Sequence, residues 1–422
     1  MVTHSLNAQR LLERFLRYVR MDTTANPDCL DYPSSPGQWE LGRVLISELQ
    51  AMGASQVEHD AHGLVWATVP ANLPAAVQGH VPTLLFNAHL DTSPEAVGHG
   101  VSPQVIDGYR GGDIHLPRDG RVITLADSPE LAHLTGHCLI TTDGTTLLGG
   151  DDKAGVAVIM EIANYLLEQR HVPHGELRIL FTCDEEIGRG AQHVELSRVG
   201  ALAGYTLDGS GQGKIEAENF SADQLVVRAQ GNNIHPALGK GRMINAVRGL
   251  SKLVSQLPLD HLSPESTAGR EGFLHPYDIK GGVHVAEARI LLRDFETQRL
   301  DDYEQLVRGL ATALEREIPG LQFTIERQRQ YRNMADFIKR LPQVVELAVR
   351  AWQELEQACT LGAIRGGTDG ALFSEMGLPT PNLSVGQHNI HSVLEFVSLN
   401  QMLAAAEHAI QLVELWQSQA RS

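Results

Sequence analysis

Five separate apolar runs in this chain each give way to a side chain able to bind a metal ion, and this pattern constrains the fold most. His89 and Asp91 follow Leu84-Leu85-Phe86. Asp151 and Asp152 follow Leu147-Leu148 and two glycines. Asp184, Glu185 and Glu186 follow Ile179-Leu180-Phe181, and Asp208 follows Tyr205-Thr206-Leu207. His391 comes a few residues after Asn382-Leu383-Ser384-Val385. Short apolar runs alternating with helical periods are the signature of an α/β sheet. In such a sheet, sites form outside the carboxyl ends of the strands, where loops diverge and leave a crevice. Two His, two Asp and one Glu gathered there make a mixed nitrogen and oxygen donor set. That set suits zinc, cobalt or manganese better than an all-oxygen calcium cage.

Each residue alone has a plainer reading. His-x-Asp after a strand also serves as a turn or cap, paired Glu as a solvated loop, and Asp208-Gly209 as a common turn. The constellation is the stronger argument, because chance does not place all five groups at strand ends. Two glycine-rich stretches fail as phosphate loops. GGDDKAG (149–155) breaks the G-x-x-x-x-G-K-[ST] spacing and aims carboxylates where phosphate would sit. GSGQG (209–213) is followed by another strand rather than a helix.

The first half reads as strands over 64–69, 82–88, 176–182 and 203–207. A helix over 153–168 carries Val156, Ile159, Ala163, Leu166 and Leu167 at helical spacing. From about Asn219 a second pattern begins: strand 222–229, helix 242–256, strand 284–295, helix 296–317 and strand 321–327. This βαββαβ-like order predicts a smaller, ferredoxin-like α/β sandwich inserted into the larger domain. The first style then returns, with a helix over 341–356, a strand over 381–385 and a last helix bearing Leu399, Met402, Leu403, Ala406 and Ile410. The expected organisation is α/β: a discontinuous domain (1–218 and 333–422) with a central mixed sheet flanked by helices, and an inserted domain (219–332).

Bulk properties narrow the partners. Against 34 Lys and Arg stand 51 Asp and Glu, a formal charge of −17. So acidic a surface repels phosphate backbones and anionic lipid, which argues against nucleic acid or membrane as partner. No apolar run approaches the roughly 18 residues of a membrane span, and residues 1–20 read as an amphipathic helix rather than a secretory signal. Cys29, Cys138, Cys183 and Cys359 lie far apart with no CxxC pair, which fits a reducing cytoplasm.

Read as strings, NAHLDTSP (87–94), LGGDDKAG (148–155) and TCDEEIGRG (182–190) resemble the co-catalytic zinc aminoacylase and carboxypeptidase clan. YRGGDI (109–114), ITTDG (140–144), YTLDG (205–209), GNNIHP (231–236), RDF (293–295) and IRGGTDG (364–370) narrow the resemblance to its peptidase T family of tripeptide aminopeptidases. The matching pieces run from MDTT (21–24) to EFV (395–397), and the fit is looser at 95–100 and 387–394.

The resemblance implies two Zn²⁺ per chain, with Co²⁺ or Mn²⁺ as substitutes. His89 and Asp208 would hold one ion, Glu186 and His391 the other, and Asp151 would bridge both. Asp151 is preferred to Asp152 because the family's bridging carboxylate stands two positions before the Lys, and the peptide after it tends to be cis. Glu185 would be the general base and acid, and Asp91 the partner of the His89 imidazole. The inserted domain would act as a lid, and His235, Arg293 and Arg365, which match family positions facing the cleft, would anchor substrate. Arg suits a peptide carboxylate, and His235 a developing oxyanion. The plainer reading pairs Arg293 and Arg365 with Asp294 and Asp369 in structural salt bridges.

The implied activity is release of the N-terminal residue from tripeptides. A related dinuclear-metal dipeptidase or acyl-amino-acid deacylase is the alternative, and a non-catalytic peptide-binding protein is a third reading that retention of Glu185 opposes. The resemblance leaves open both a homodimer, paired through the edge of the lid domain, and a monomer.

Overall fold

The computed structural model describes residues 4–74 and 79–419. The outermost parts of the expected larger domain, 1–3 and 420–422, lie outside them. The chain divides into two compact units: Met1–Ala217 with Asp336–Gly362 and Thr368–Ser422, and Glu218–Ala335 with Ala363–Gly367.

The first unit is built on a mixed sheet. Its strands run in the order Ser55–His59, Val65–Val69, Leu177–Thr182, Leu84–His89, Ala203–Ser210, Asn382–His388, Phe396–Ser398, Leu139–Thr141 and Gln104–Ile106. The four central strands, Leu177–Thr182 through Asn382–His388, are mutually parallel, so their carboxyl ends lie side by side. Parallel strands are buried on both faces, and Leu84–His89 is buried at every position. The helix Gly150–Glu168 packs beneath them. It is buried from Gly150 to Leu166, because the helices Ala8–Tyr18, Pro36–Met52 and Leu399–Gln419 close its far side.

The second unit is a four-stranded antiparallel sheet in the order Phe273–Gly281, Val285–Asp294, Ser221–Gln230 and Gln322–Tyr331. The helices Ala246–Ser255 and Arg299–Glu317 complete a βαββαβ order. Alternation along Val285–Asp294 turns Ala286, Ala288, Ile290 and Leu292 inward, where they meet Leu250, Leu253, Val307 and Leu314 of the two helices.

Several boundaries differ from the sequence reading for physical reasons. Asp208 stands inside the Ala203–Ser210 strand rather than after it, where pairing with Asn382–His388 shifts register between Leu383 and Ser384. The helix expected over 242–256 starts only at Ala246, because Asn245 caps it by accepting the Arg248 N–H. Periodicity gives no strand over Phe273–Gly281. One forms nonetheless, with Pro276 at a register irregularity that spares the ladder its missing donor. Among the described residues no helix is long and apolar enough to cross a membrane, and all four cysteines are free.

Candidate metal centre

The site sits at the carboxyl ends of the parallel strands. His89 is the last residue of Leu84–His89 and is buried. Glu185 and Glu186 open a single turn of 3₁₀ helix after Leu177–Thr182, reached through Asp184 in the left-handed region at φ 59°. That conformation is unusual for a residue with a side chain. It is held here by the buried Asp184 carboxylate, which accepts from Ser34 N (2.8 Å), Ser34 Oγ (2.5 Å) and Gln38 Nε2 (2.7 Å). Asp151 and Asp152 stand at the start of Gly150–Glu168 with non-helical backbone, and the peptide between them is cis. His391 lies just past Asn382–His388, also at positive φ (60°).

These elements bring five side chains together. His89 Nε2 lies 3.0 Å from Asp151 Oδ1 and 3.8 Å from Asp208 Oδ1. His391 Nε2 lies 3.2 Å from Asp151 Oδ2 and 2.9 Å from Glu186 Oε2. Each oxygen of Asp151 therefore faces one imidazole. The donor atoms form two groups, His89/Asp151/Asp208 and Asp151/Glu186/His391, each within 4.8 Å and sharing Asp151.

The residues fit a pair of divalent transition ions. The donors mix imidazole nitrogen with carboxylate oxygen. Glu186 Oε1 is buried with no hydrogen-bond partner, an acceptor left for a cation. The other nitrogen of each ring is occupied, which aims Nε2 at the carboxylates. His89 Nδ1 meets Asp91 O at 3.0 Å, with Asp91 Oδ1 at 3.4 Å, and His391 Nδ1 meets Glu95 Oε2 at 3.3 Å.

Burial and mutual repulsion set the charge balance. Burial lifts the Asp208 carboxyl well above the ordinary range, and Asp151 adds to the effect. Glu186 is pushed up to about 7 by burial and then by Asp151. Glu185 rises well above its usual value through burial, reinforced by Asp369, Asp208 and Glu186. Burial alone would lower His391, but hydrogen bonds to Asp151 and Glu186 push it up to about 11. Burial would raise Asp151, yet His391 and His89 hold it below the usual carboxylate range. The cluster thus has more buried negative charge than its imidazoles offset, the electrostatic demand a divalent ion satisfies.

Asp91, fully buried, does more than face the His89 ring. Its carboxylate accepts the backbone N–H groups of both Glu185 and Glu186 at 3.0 Å, capping the turn that carries them. Asp152 belongs to neither donor group. It pins the loop by accepting His89 N and Gly155 N, each at 3.1 Å. Sequence reading does not single out the part played by Asp184 or by Glu395. The available signal is an acid inside an apolar surround, such as Leu394-Glu395-Phe396-Val397.

The three expected substrate residues lie in the second unit. His235 precedes the short turn Pro236–Leu238 and accepts the Ala237 N–H through Nδ1 (3.3 Å). Arg293, on Val285–Asp294, donates to Arg365 O at 3.3 Å, and its Nε is buried without a partner. Arg365 donates to Gly269 O (2.9 Å), Glu271 O (2.8 Å) and Thr267 Oγ1 (3.0 Å). Among the described residues no ion pair joins Arg293 to Asp294, whose carboxylate instead accepts from Tyr303 OH (2.5 Å) and Glu296 N (2.9 Å).

Residues 143–415 match the family model described as Peptidase family M20/M25/M40. The chain belongs to this family. Membership makes it a metallopeptidase, a hydrolase. Curated family relatives named Peptidase T extend the match to nearly the whole chain. One from Geobacillus kaustophilus strain HTA426 is 42% identical over 413 residues, covering 98% of this chain and 99% of the relative. Another from Escherichia coli strain SE11 is 40% identical over 407 residues, covering 96% and 98%. The fold is shared with the aminopeptidase PepT from Bacillus cereus ATCC 10987 (TM-score 0.74, 24% identity, 97% and 99% covered). It is also shared with a tripeptidase from Staphylococcus aureus subsp. aureus Mu50 (TM-score 0.76, 20% identity, 98% and 100% covered).

Proposed function

We propose that this family member is a dinuclear-metal aminopeptidase that releases the N-terminal residue of tripeptides. The observation that carries the reading is Asp151, which turns one carboxylate oxygen to each of two histidine-containing donor groups. His89 and Asp208 would hold one ion, Glu186 and His391 the other, and Asp151 both. Zinc is the metal proposed, with cobalt or manganese as substitutes. Two such ions supply a water nucleophile at neutral pH and polarise the scissile carbonyl.

The remaining chemistry falls to the chain itself. Glu185 makes no side-chain hydrogen bond among the described residues and belongs to neither donor group, so its carboxylate is free to take the water's proton and pass it to the leaving amine. Asp91 fixes the His89 ring and the backbone of Glu185 and Glu186 together. In this reading 219–332 is the lid, with His235 donating to the developing oxyanion and Arg293 and Arg365 anchoring the peptide carboxylate. The tripeptide assignment draws support from the names of the relatives and of the Staphylococcus structure. The cytoplasm is the proposed compartment, in keeping with four free cysteines.

The test is initial rates on di-, tri- and tetrapeptides of one composition and on an N-acetylated tripeptide, with metal content measured on the same sample. Preference for the free tripeptide supports the reading. Equal or faster turnover of the acetylated peptide points to a deacylase instead.

A further inference from the structure

A buried carboxylate outside both donor groups joins the loop that carries Asp151 to the segment that carries His391. Glu395, 1% exposed, accepts the backbone N–H groups of Leu148 (2.7 Å) and Gly149 (2.8 Å) on Oε2 and of Asp151 (3.1 Å) on Oε1. Gly149 is left-handed at φ +80°, so neighbouring N–H groups turn inward and form an anion-binding nest. The loop has no room to slide. A Cβ on Gly150 would stand 2.5 Å from Val397 Cγ2 and 3.0 Å from Glu395 Oε1.

The His391 side of the link is equally tied. Glu395 lies four residues after His391, and Glu395 N donates to Ser392 O (3.2 Å), Thr142 Oγ1 to Val393 O (3.1 Å) and Asn389 Nδ2 to Leu394 O (3.2 Å). His391 keeps its positive φ only because surroundings of this kind over-determine it.

We propose that Glu395 is a positioning residue for the metal centre. It holds Asp151 at a fixed separation from His391, so that the Asp151/Glu186/His391 group is formed before a cation arrives. The inference rests on the dinuclear reading above. Three backbone N–H groups converge on one carboxylate. An amide in its place sets an NH₂ against at least one of those N–H groups and leaves a buried donor unpaired. Asp151 would then shift relative to His391. The His89/Asp151/Asp208 group, whose other members stand on sheet strands, would feel the change less.

The experiment is a titration of the full-length, metal-stripped protein with Co²⁺, followed by calorimetry and by visible absorption of the bound ion. Wild type should take up two ions. In Glu395→Gln one of the two should bind at least about ten-fold more weakly, with an altered visible spectrum, and Glu395→Asp should recover part of the loss. Two-site binding and a spectrum like wild type in Glu395→Gln, with only thermal stability lowered, would overturn the inference. Fewer than two ions on wild type would sink the dinuclear reading and this inference with it. Should Glu395→Gln not fold, Glu395→Asp decides by the same titration, where unchanged binding of both ions overturns the proposal.

Discussion

At the scale of single residues, adjacent Glu185 and Glu186 meet different surroundings because the backbone beneath them is held on both sides. Asp184 enters the turn left-handed, and Asp91 caps its two N–H groups. Glu186 then points at His391, and Glu185 makes no side-chain hydrogen bond among the described residues. If Glu185 is the proton carrier, Glu185→Gln lowers kcat by roughly 10²–10⁴-fold while the variant still binds two Co²⁺ per chain. Loss of the ions in that variant would make Glu185 a ligand instead. The side chains of the two candidate donor groups were legible in the sequence because metal chemistry accepts few residue types. Asp152 and Asp184 were not, since each acts through hydrogen bonds whose partners, His89 N for one and Ser34 and Gln38 for the other, are distant in the chain.

At the scale of elements, the helix Gly150–Glu168 approaches the Ala203–Ser210 strand so closely that Gly155 has no space for a side chain. A Cβ there would overlap Leu207 O and Asp152 Oδ1. Gly155→Ala is therefore expected to cost about 3 kcal/mol or prevent folding, read by urea denaturation. A midpoint within error of wild type would contradict the packing.

The contact between Leu399–Gln419 and Gln343–Glu354 carries a pH dependence. His408 Nε2 bonds Ala348 O at 2.8 Å, its ring stacks on Trp352 at 4.3 Å, and burial pushes its pKa down to about 4. The folded pKa lies below the unfolded value of about 6.5. The unfolded state therefore binds the proton first, and stability is complete above pH 6.5 and falls as pH drops toward 4. The loss over that window is about 3 kcal/mol. His408→Gln should flatten this limb in urea titrations at pH 7, 5.5 and 4, and an unchanged slope would rule the group out as its source. The elements themselves were legible where period and burial agree. Phe273–Gly281 was not, because Pro276 argues against a strand and only pairing along Val285–Asp294 overrides it.

At the scale of the molecule, a formal charge of −17 coexists with a core of carboxylates that repel one another, so cations should add stability as well as activity. Chelation is expected to abolish turnover and to lower Tm by several degrees, since an ion bound only by the folded state stabilises it by mass action. Zn²⁺ or Co²⁺ should restore both. Full turnover in protein shown to be metal-free would refute the metal assignment, and an unchanged Tm would place the donor groups outside the stability of the fold.

The sequence alone determined which side chains were available and that alternating sheet and helix would deliver them to strand ends, because hydrophobic period and donor chemistry are both local. Tertiary structure decided the rest: that Asp151 faces both imidazoles while Asp152 pins the backbone, and that Asp91 caps the turn opposite. Those outcomes depend on the angles at which distant strand ends meet, and no spacing along the chain encodes an angle.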